Sequence, residues 1–74
     1  MEFNRGDYVK LTEDAAQEVG VVWEIYLTEI ASIEVYWWGG GKRWSKCYEP
    51  KVLTLVKPSD LPDYAIELRG SLGL

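Results

Sequence analysis

Ser32-Ile33-Glu34-Val35-Tyr36-Trp37-Trp38-Gly39-Gly40-Gly41-Lys42-Arg43-Trp44-Ser45-Lys46-Cys47-Tyr48 sets three of the chain's four tryptophans around a triple glycine. β-Branched and aromatic residues alternate up to the glycines, and aromatic residues return after them. This is the pattern of two strands joined by a turn that needs positive φ. Ile33, Val35 and Trp37 share one face, assigned to the core, while Glu34, Tyr36 and Trp38 share the other. Lys42 to Tyr48 forms the returning strand, and Pro50 ends it because proline has no N–H to give to a ladder.

Upstream of the hairpin, Gly6-Asp7 introduces Tyr8-Val9-Lys10-Leu11, a half-buried strand with Val9 and Leu11 on one face and Tyr8 and Lys10 on the other. Thr12 to Glu18 is polar and acidic and reads as a long connection with at most one helical turn. From Val19 to Leu27 the odd positions Val21, Trp23, Ile25 and Leu27 are apolar and Val22, Glu24 and Tyr26 are mixed. The odd face is therefore taken as the inner one, a parity that a β-bulge near Gly20 would break. Thr28-Glu29 turns the chain into the central hairpin.

Downstream, Glu49-Pro50-Lys51-Val52 reads as a tight or 3₁₀ turn before a last strand, Leu53-Thr54-Leu55-Val56. Residues 1–57 thus form one all-β unit of five short antiparallel strands. Its expected core is Val9, Leu11, Val21, Ile25, Ile33, Val35, Leu53 and Leu55. Residues 58–74 form a C-terminal tail interrupted by Pro58, Pro62, Gly70 and Gly73. Ser59 or Asp60 can cap a short helix over Leu61 to Leu68, and the tail is expected to pack on the strands or on a neighbouring subunit.

The chain has 74 residues, enough for one domain with a small core. It carries a single cysteine, Cys47, and no histidine. An intrachain disulfide and a Cys/His zinc cluster are thereby excluded, and a reducing compartment fits best. The net charge of −4 is unevenly spread: residues 1–37 hold two Lys/Arg against eight Asp/Glu, whereas residues 38–57 hold five against one. Met1 to Arg5 shows no basic segment leading into an apolar run, and no eighteen apolar residues follow one another. A soluble, cytoplasmic protein without membrane association is expected.

Gly6-Asp7-Tyr8-Val9-Lys10-Leu11, Gly20-Val21-Val22-Trp23-Glu24-Ile25, Val35 through Trp44, and Leu53-Thr54-Leu55-Val56 together resemble an SH3-like barrel. The resemblance covers residues 5–57. It is nearest to small SH3-like proteins of bacteriophage and environmental origin, and more distant to KOW-type and Tudor-type barrels. It implies a small five-stranded antiparallel barrel in a bacterial or phage-infected host cell, and a fold that hosts peptide, nucleic-acid and modified-lysine binders alike. The Ala-Leu-Tyr-Asp-Tyr entry of a signalling SH3 domain is absent, so recognition of proline motifs is not implied.

Two sets of residues are candidates for binding. Tyr8, Tyr26, Tyr36, Trp38 and Tyr48 fall by alternation on or near the face opposite the core, where they can stack on a partner's apolar groups. Lys42, Arg43, Trp44 and Lys46 interleave cations with an aromatic ring, the ingredients of a single-stranded nucleic-acid surface. Glu13, Asp14 and Glu18 lack the spacing of a calcium loop and read as a solvated connection. No cofactor or metal is expected. No enzyme is expected either, since Cys47 has no histidine to activate it and no carboxylate pair stands out. The leading expectation is a protein-binding module that self-associates, most simply as a dimer; the alternative is binding of single-stranded nucleic acid through Lys42 to Tyr48.

Overall fold

The computed structural model describes residues 2–74. It contains strands β1 (Tyr8–Leu11), β2 (Gly20–Leu27), β3 (Ala31–Gly39), β4 (Lys42–Tyr48) and β5 (Leu53–Leu55), followed by helix α1 (Asp63–Ser71). The strands form one antiparallel sheet in the order β4-β3-β2-β1-β5. This sheet does not close on itself: β4 and β5 are its two free edges. Single 3₁₀ turns, Pro50–Val52 and Pro58–Asp60, stand on either side of β5.

The central hairpin forms as its glycines dictate. Gly39 pairs with Lys42, and Gly40 and Gly41 carry φ of +60° and +75°, the two-residue turn whose twist matches that of its strands. From this turn β3 and β4 run in unbroken register to Ile33 opposite Tyr48. The pairing of β2 with β3, in contrast, shifts between Val22 and Glu24. This bulge at Trp23 resets the alternation: Val22 faces the core, and two positions of regular strand later Glu24 would too, but the extra residue returns Ile25 to that side.

The core comprises Phe3, Val9, Val22, Ile33, Val35, Trp37 and Leu53, with Leu11, Ile25 and Tyr48 packed against it. Several assignments made from alternation change. Val21 is fully buried, but on the opposite face from Val22. Trp23 is half-buried on that same opposite side, edge-on to Tyr36 at 5.8 Å between centroids. Leu55 pairs with Val9 yet remains 48% exposed, because β5 is the last strand and nothing lies beyond it. Leu27 is 75% exposed, since the end of β2 runs past β1, which pairs only with Gly20 and Val21. Phe3 enters the core because the segment before β1 joins the sheet: Gly6 N–H donates to Val22 O at 2.8 Å and Val22 N–H to Asp7 O at 2.9 Å.

Residues 58–74 fold back onto their own sheet. Pro62 holds Leu61 in extended backbone (φ −81°, ψ 124°), so the helix starts at Asp63 rather than Leu61 and runs on to Ser71. It packs against β2 and β3, burying Ala65 and Leu68 completely on the sheet face that also holds buried Val21. The Tyr64 hydroxyl accepts Val19 N–H at 2.9 Å, and Arg69 Nε donates to Gly6 O at 2.9 Å, fastening both ends of the helix. No helix among the described residues is long and apolar enough to cross a membrane.

Candidate functional site

The bulge and the helix together decide which aromatic rings reach solvent. Reading across the sheet, Tyr8, Val21, Tyr36 and Ser45 lie in one row on the face opposite the core. The helix occupies the Val21 portion of that face. Beyond it, Tyr26, Glu34, Tyr36, Trp38, Arg43, Ser45 and Cys47 lie on that same face of β2, β3 and β4, Glu34 and Tyr36 half-buried and the others exposed. Tyr26 and Trp38 are 42% and 41% exposed.

Glu34 organises the centre of this surface. Its carboxylate accepts the Tyr26 hydroxyl at 2.7 Å and the Ser45 hydroxyl at 3.0 Å, tying the three strands together through their side chains. The Tyr26 pKa is pushed up to about 12, chiefly because its proton is held in the bond to Glu34. Arg43 lies 6.0 Å from the Tyr36 ring, and its Nη1 donates to Ser71 O at 2.8 Å. A cation at the carbonyl end of a helix is favourably placed in the helix dipole.

Of the five aromatic residues assigned to a common surface, the structure places Tyr26, Tyr36 and Trp38 on one face but spread along it, Tyr26 lying opposite Ser32, six residues or about 20 Å along β3 from Trp38. Tyr8 shares their face but sits on β1, across buried Val21 from Tyr36. Tyr48 lies on the core face opposite Ile33, edge-on to Trp37 at 5.9 Å, and burial pushes its phenol pKa up. Its position follows from counting seven regular pairs back from the glycine turn, which puts it in phase with Trp44 and Lys46.

The basic and aromatic set divides in the same way. Arg43 points to the outer face, where Tyr36 and the end of α1 engage it, whereas Lys42, Trp44 and Lys46 belong to the core side of β4. Trp44 stacks on Trp37 at 6.0 Å and remains 45% exposed, and Lys46 Nζ stands 5.6 Å from the Tyr48 ring. Trp37 itself is buried, and its indole N–H has no hydrogen-bond partner among the described residues.

Two features escaped the reading of the sequence. Arg5 lies over Trp23 at 4.5 Å, donates from Nε to Trp23 O at 2.7 Å and pairs with Glu24 at 3.3 Å, a clamp across the bulge that nothing in the local sequence signals. A groove of about 440 Å³ also lies between the first connection and the 3₁₀ turn, lined by Leu11, Thr12, Glu13, Asp14, Lys51 and Val52. Among the described residues no three carboxylate or thiol side chains converge as a metal site would require. Compared with known protein families, curated proteins and solved structures, the chain has no significant match to any of them.

Proposed function

We propose that the chain is a non-enzymatic SH3-like interaction module that binds protein through the outer surface of Tyr26, Tyr36 and Trp38, a second copy of itself being the simplest partner. Supporting the SH3-like assignment, β1 to β4 follow one another as a meander, β5 returns to the far side of β1 through a 3₁₀ turn, and β2 carries a bulge at Trp23. The binding reading is carried by one observation. Tyr26 and Trp38 stay two-fifths exposed on a sheet face whose other part the helix covers, with Glu34 already satisfied between them. Exposed aromatic rings along one sheet face, with a satisfied carboxylate between them, favour a protein partner that brings apolar groups and few charges of its own.

The nucleic-acid reading keeps Lys42, Trp44 and Lys46 as its basis, with Arg43 turned to the other face. Sedimentation equilibrium from micromolar to millimolar chain, together with a search of a random peptide library, tests the proposal. Association or selected peptides should perturb the backbone amides around Tyr26, Glu34, Tyr36 and Trp38, and Tyr26→Ser with Trp38→Ser should abolish the effect. A monomeric chain whose selected peptides all map elsewhere would overturn it.

A further inference from the structure

The two edges of the sheet are treated differently. β5 is three residues long, stands between Pro50 and Pro58, and so offers little to a neighbouring strand. β4 is seven residues long, pairs with β3 without a bulge, and is exposed from Lys42 to Cys47. Gly39 and Lys42 close a two-residue turn and form a hydrogen-bonded pair, so by alternation Lys42, Trp44, Lys46 and Tyr48 direct their backbone groups to β3. The N–H and C=O groups of Arg43, Ser45 and Cys47 point away from the sheet. Among the described residues, none of the hydrogen bonds made outside the strand ladders uses them.

From these observations we propose that β4 accepts an extended, acidic peptide segment of another protein as a sixth strand, at a surface separate from the outer aromatic face. The core side of β4 presents Lys42, Trp44 and Lys46 in alternate positions, and no carboxylate lies on the strand. A strand laid beside it sets its own alternate side chains directly against those three. The segment that fits reads acidic, any residue, apolar, any residue, acidic: carboxylates meet the two lysines, and the apolar group covers the free face of Trp44, whose other face rests on Trp37. The segment lies antiparallel to β4, so the residues flanking its apolar one are those that exchange N–H and C=O bonds with Arg43 and Ser45. Edge lysines ordinarily repel strands. Here they disfavour a second β4, which would add three more cations and no carboxylate to the edge, and favour an acidic strand. Within this chain the pattern occurs twice: as Asp14-Ala15-Ala16-Gln17-Glu18, which is folded into a turn by the bond from Ala16 N–H to the Asp14 carboxylate and by Gln17 at φ +54°, and as Asp63-Tyr64-Ala65-Ile66-Glu67, which is committed to the helix with Ala65 buried.

The probe is the acetylated nonapeptide Thr-Val-Glu-Thr-Ile-Thr-Glu-Val-Thr, titrated into the full chain while amide shifts and hydrogen exchange are recorded. Saturating peptide should slow exchange at the Arg43, Ser45 and Cys47 amides by about tenfold or more, with the alternate β4 amides already protected. N-methylating the two threonines that flank the isoleucine, or replacing both glutamates with lysine, should abolish binding. Lys42→Glu with Lys46→Glu should weaken it by about tenfold or more and transfer preference to the lysine peptide. Ser45→Pro should also abolish it, the lost N–H being an outward one. If that variant does not fold, the N-methylated peptide makes the same test on the unaltered chain. Equal binding of the N-methylated peptide, protection confined to the Tyr26 and Trp38 face, or protection of the same amides by a single-stranded oligonucleotide but by no peptide would each overturn the proposal.

Discussion

Replacing Gly20 with alanine tests the packing of the sheet at its tightest point. Gly20 opens β2 opposite Val9, and a Cβ built there would lie 2.7 Å from Val35 Cγ1, 2.8 Å from Trp37 Cε3 and 2.8 Å from Tyr36 O. Two of these neighbours are fully or nearly fully buried side chains, and the third is the backbone of the strand next door. Relief therefore requires β2 and β3 to separate or Trp37 to leave its stack on Trp44. Overpacking of this kind costs about 1–3 kcal/mol. Against it stands the gain of about 0.4–1 kcal/mol from the reduced freedom of the unfolded chain. With three contacts under 3.0 Å, one of them to backbone, the cost lies in the upper half of that range, so the net loss is about 1–2.6 kcal/mol, or roughly 4–20 °C in melting temperature for a domain of this size. Gly70→Ala is the matched comparison: it lies in α1, its added Cβ meets nothing within 4 Å, and it should gain about 0.5–1 kcal/mol. Urea and thermal unfolding followed by tryptophan fluorescence measure both. A Gly20→Ala protein as stable as the parent would refute the close approach of β2 to Val35 and Trp37.

Three further outcomes are expected. Because the Tyr26 pKa is raised from 10.0 to about 12, its bond to Glu34 contributes stability that is fully present below pH 10 and is lost as pH rises through about 12. Ultraviolet titration should show this late phenolate disappear in Tyr26→Phe and move back toward 10 in Glu34→Gln, and an unchanged titration in either would contradict the assignment. Leu68→Ala removes a completely buried side chain between helix and sheet and should cost about 2–5 kcal/mol in urea unfolding; a loss below about 1 kcal/mol would mean that α1 is only loosely held. Ile33→Asp places an unpaired charge at a fully buried position of β3 and should abolish cooperative unfolding, so a sharp melt at the parental temperature would show that the face assignment of β3 is wrong.

The central hairpin could be read from the sequence because its signals are local. The glycines fix the turn, and regular alternation carries Ile33, Val35 and Trp37 to one side and Tyr36 and Trp38 to the other. The same reasoning misassigned Val21, because alternation cannot locate an extra residue and the run Val19-Gly20-Val21-Val22-Trp23 is apolar on both faces. Both faces are apolar there because both are covered, one by the core and one by α1. That second cover is the helix expected over Leu61 to Leu68 and found at Asp63–Ser71, whose two buried positions, Ala65 and Leu68, are too few to signal which face of the sheet it covers. Tyr48 was misplaced for a simpler reason. Its face follows from the count of residues back to the turn, and it was assigned with the outward tyrosines instead of in phase with Trp44. Phe3 joins the core through backbone bonds of Gly6 and Asp7 to β2, partners sixteen and fifteen positions away.

The order of strands also has a temporal meaning. β2, β3 and β4 are sequence neighbours joined by short turns, so each pairing needs only a small loop to close and can assemble rapidly. β5 is different: it must find β1 across the whole meander, Leu11 meeting Leu53, with Thr12 and Thr54 joined through their hydroxyls at 2.6 Å just beyond. The entropy of that closure falls on three ladder pairs, extended at their ends by Val56 N–H to Tyr8 O and Thr12 N–H to Val52 O, both at 2.9 Å. By this argument the three-stranded meander is expected to fold early and β1–β5 pairing late. The same asymmetry predicts that amides on the β5 side exchange first in the native state and that the partner-free edge on β4 belongs to the part of the chain that opens last.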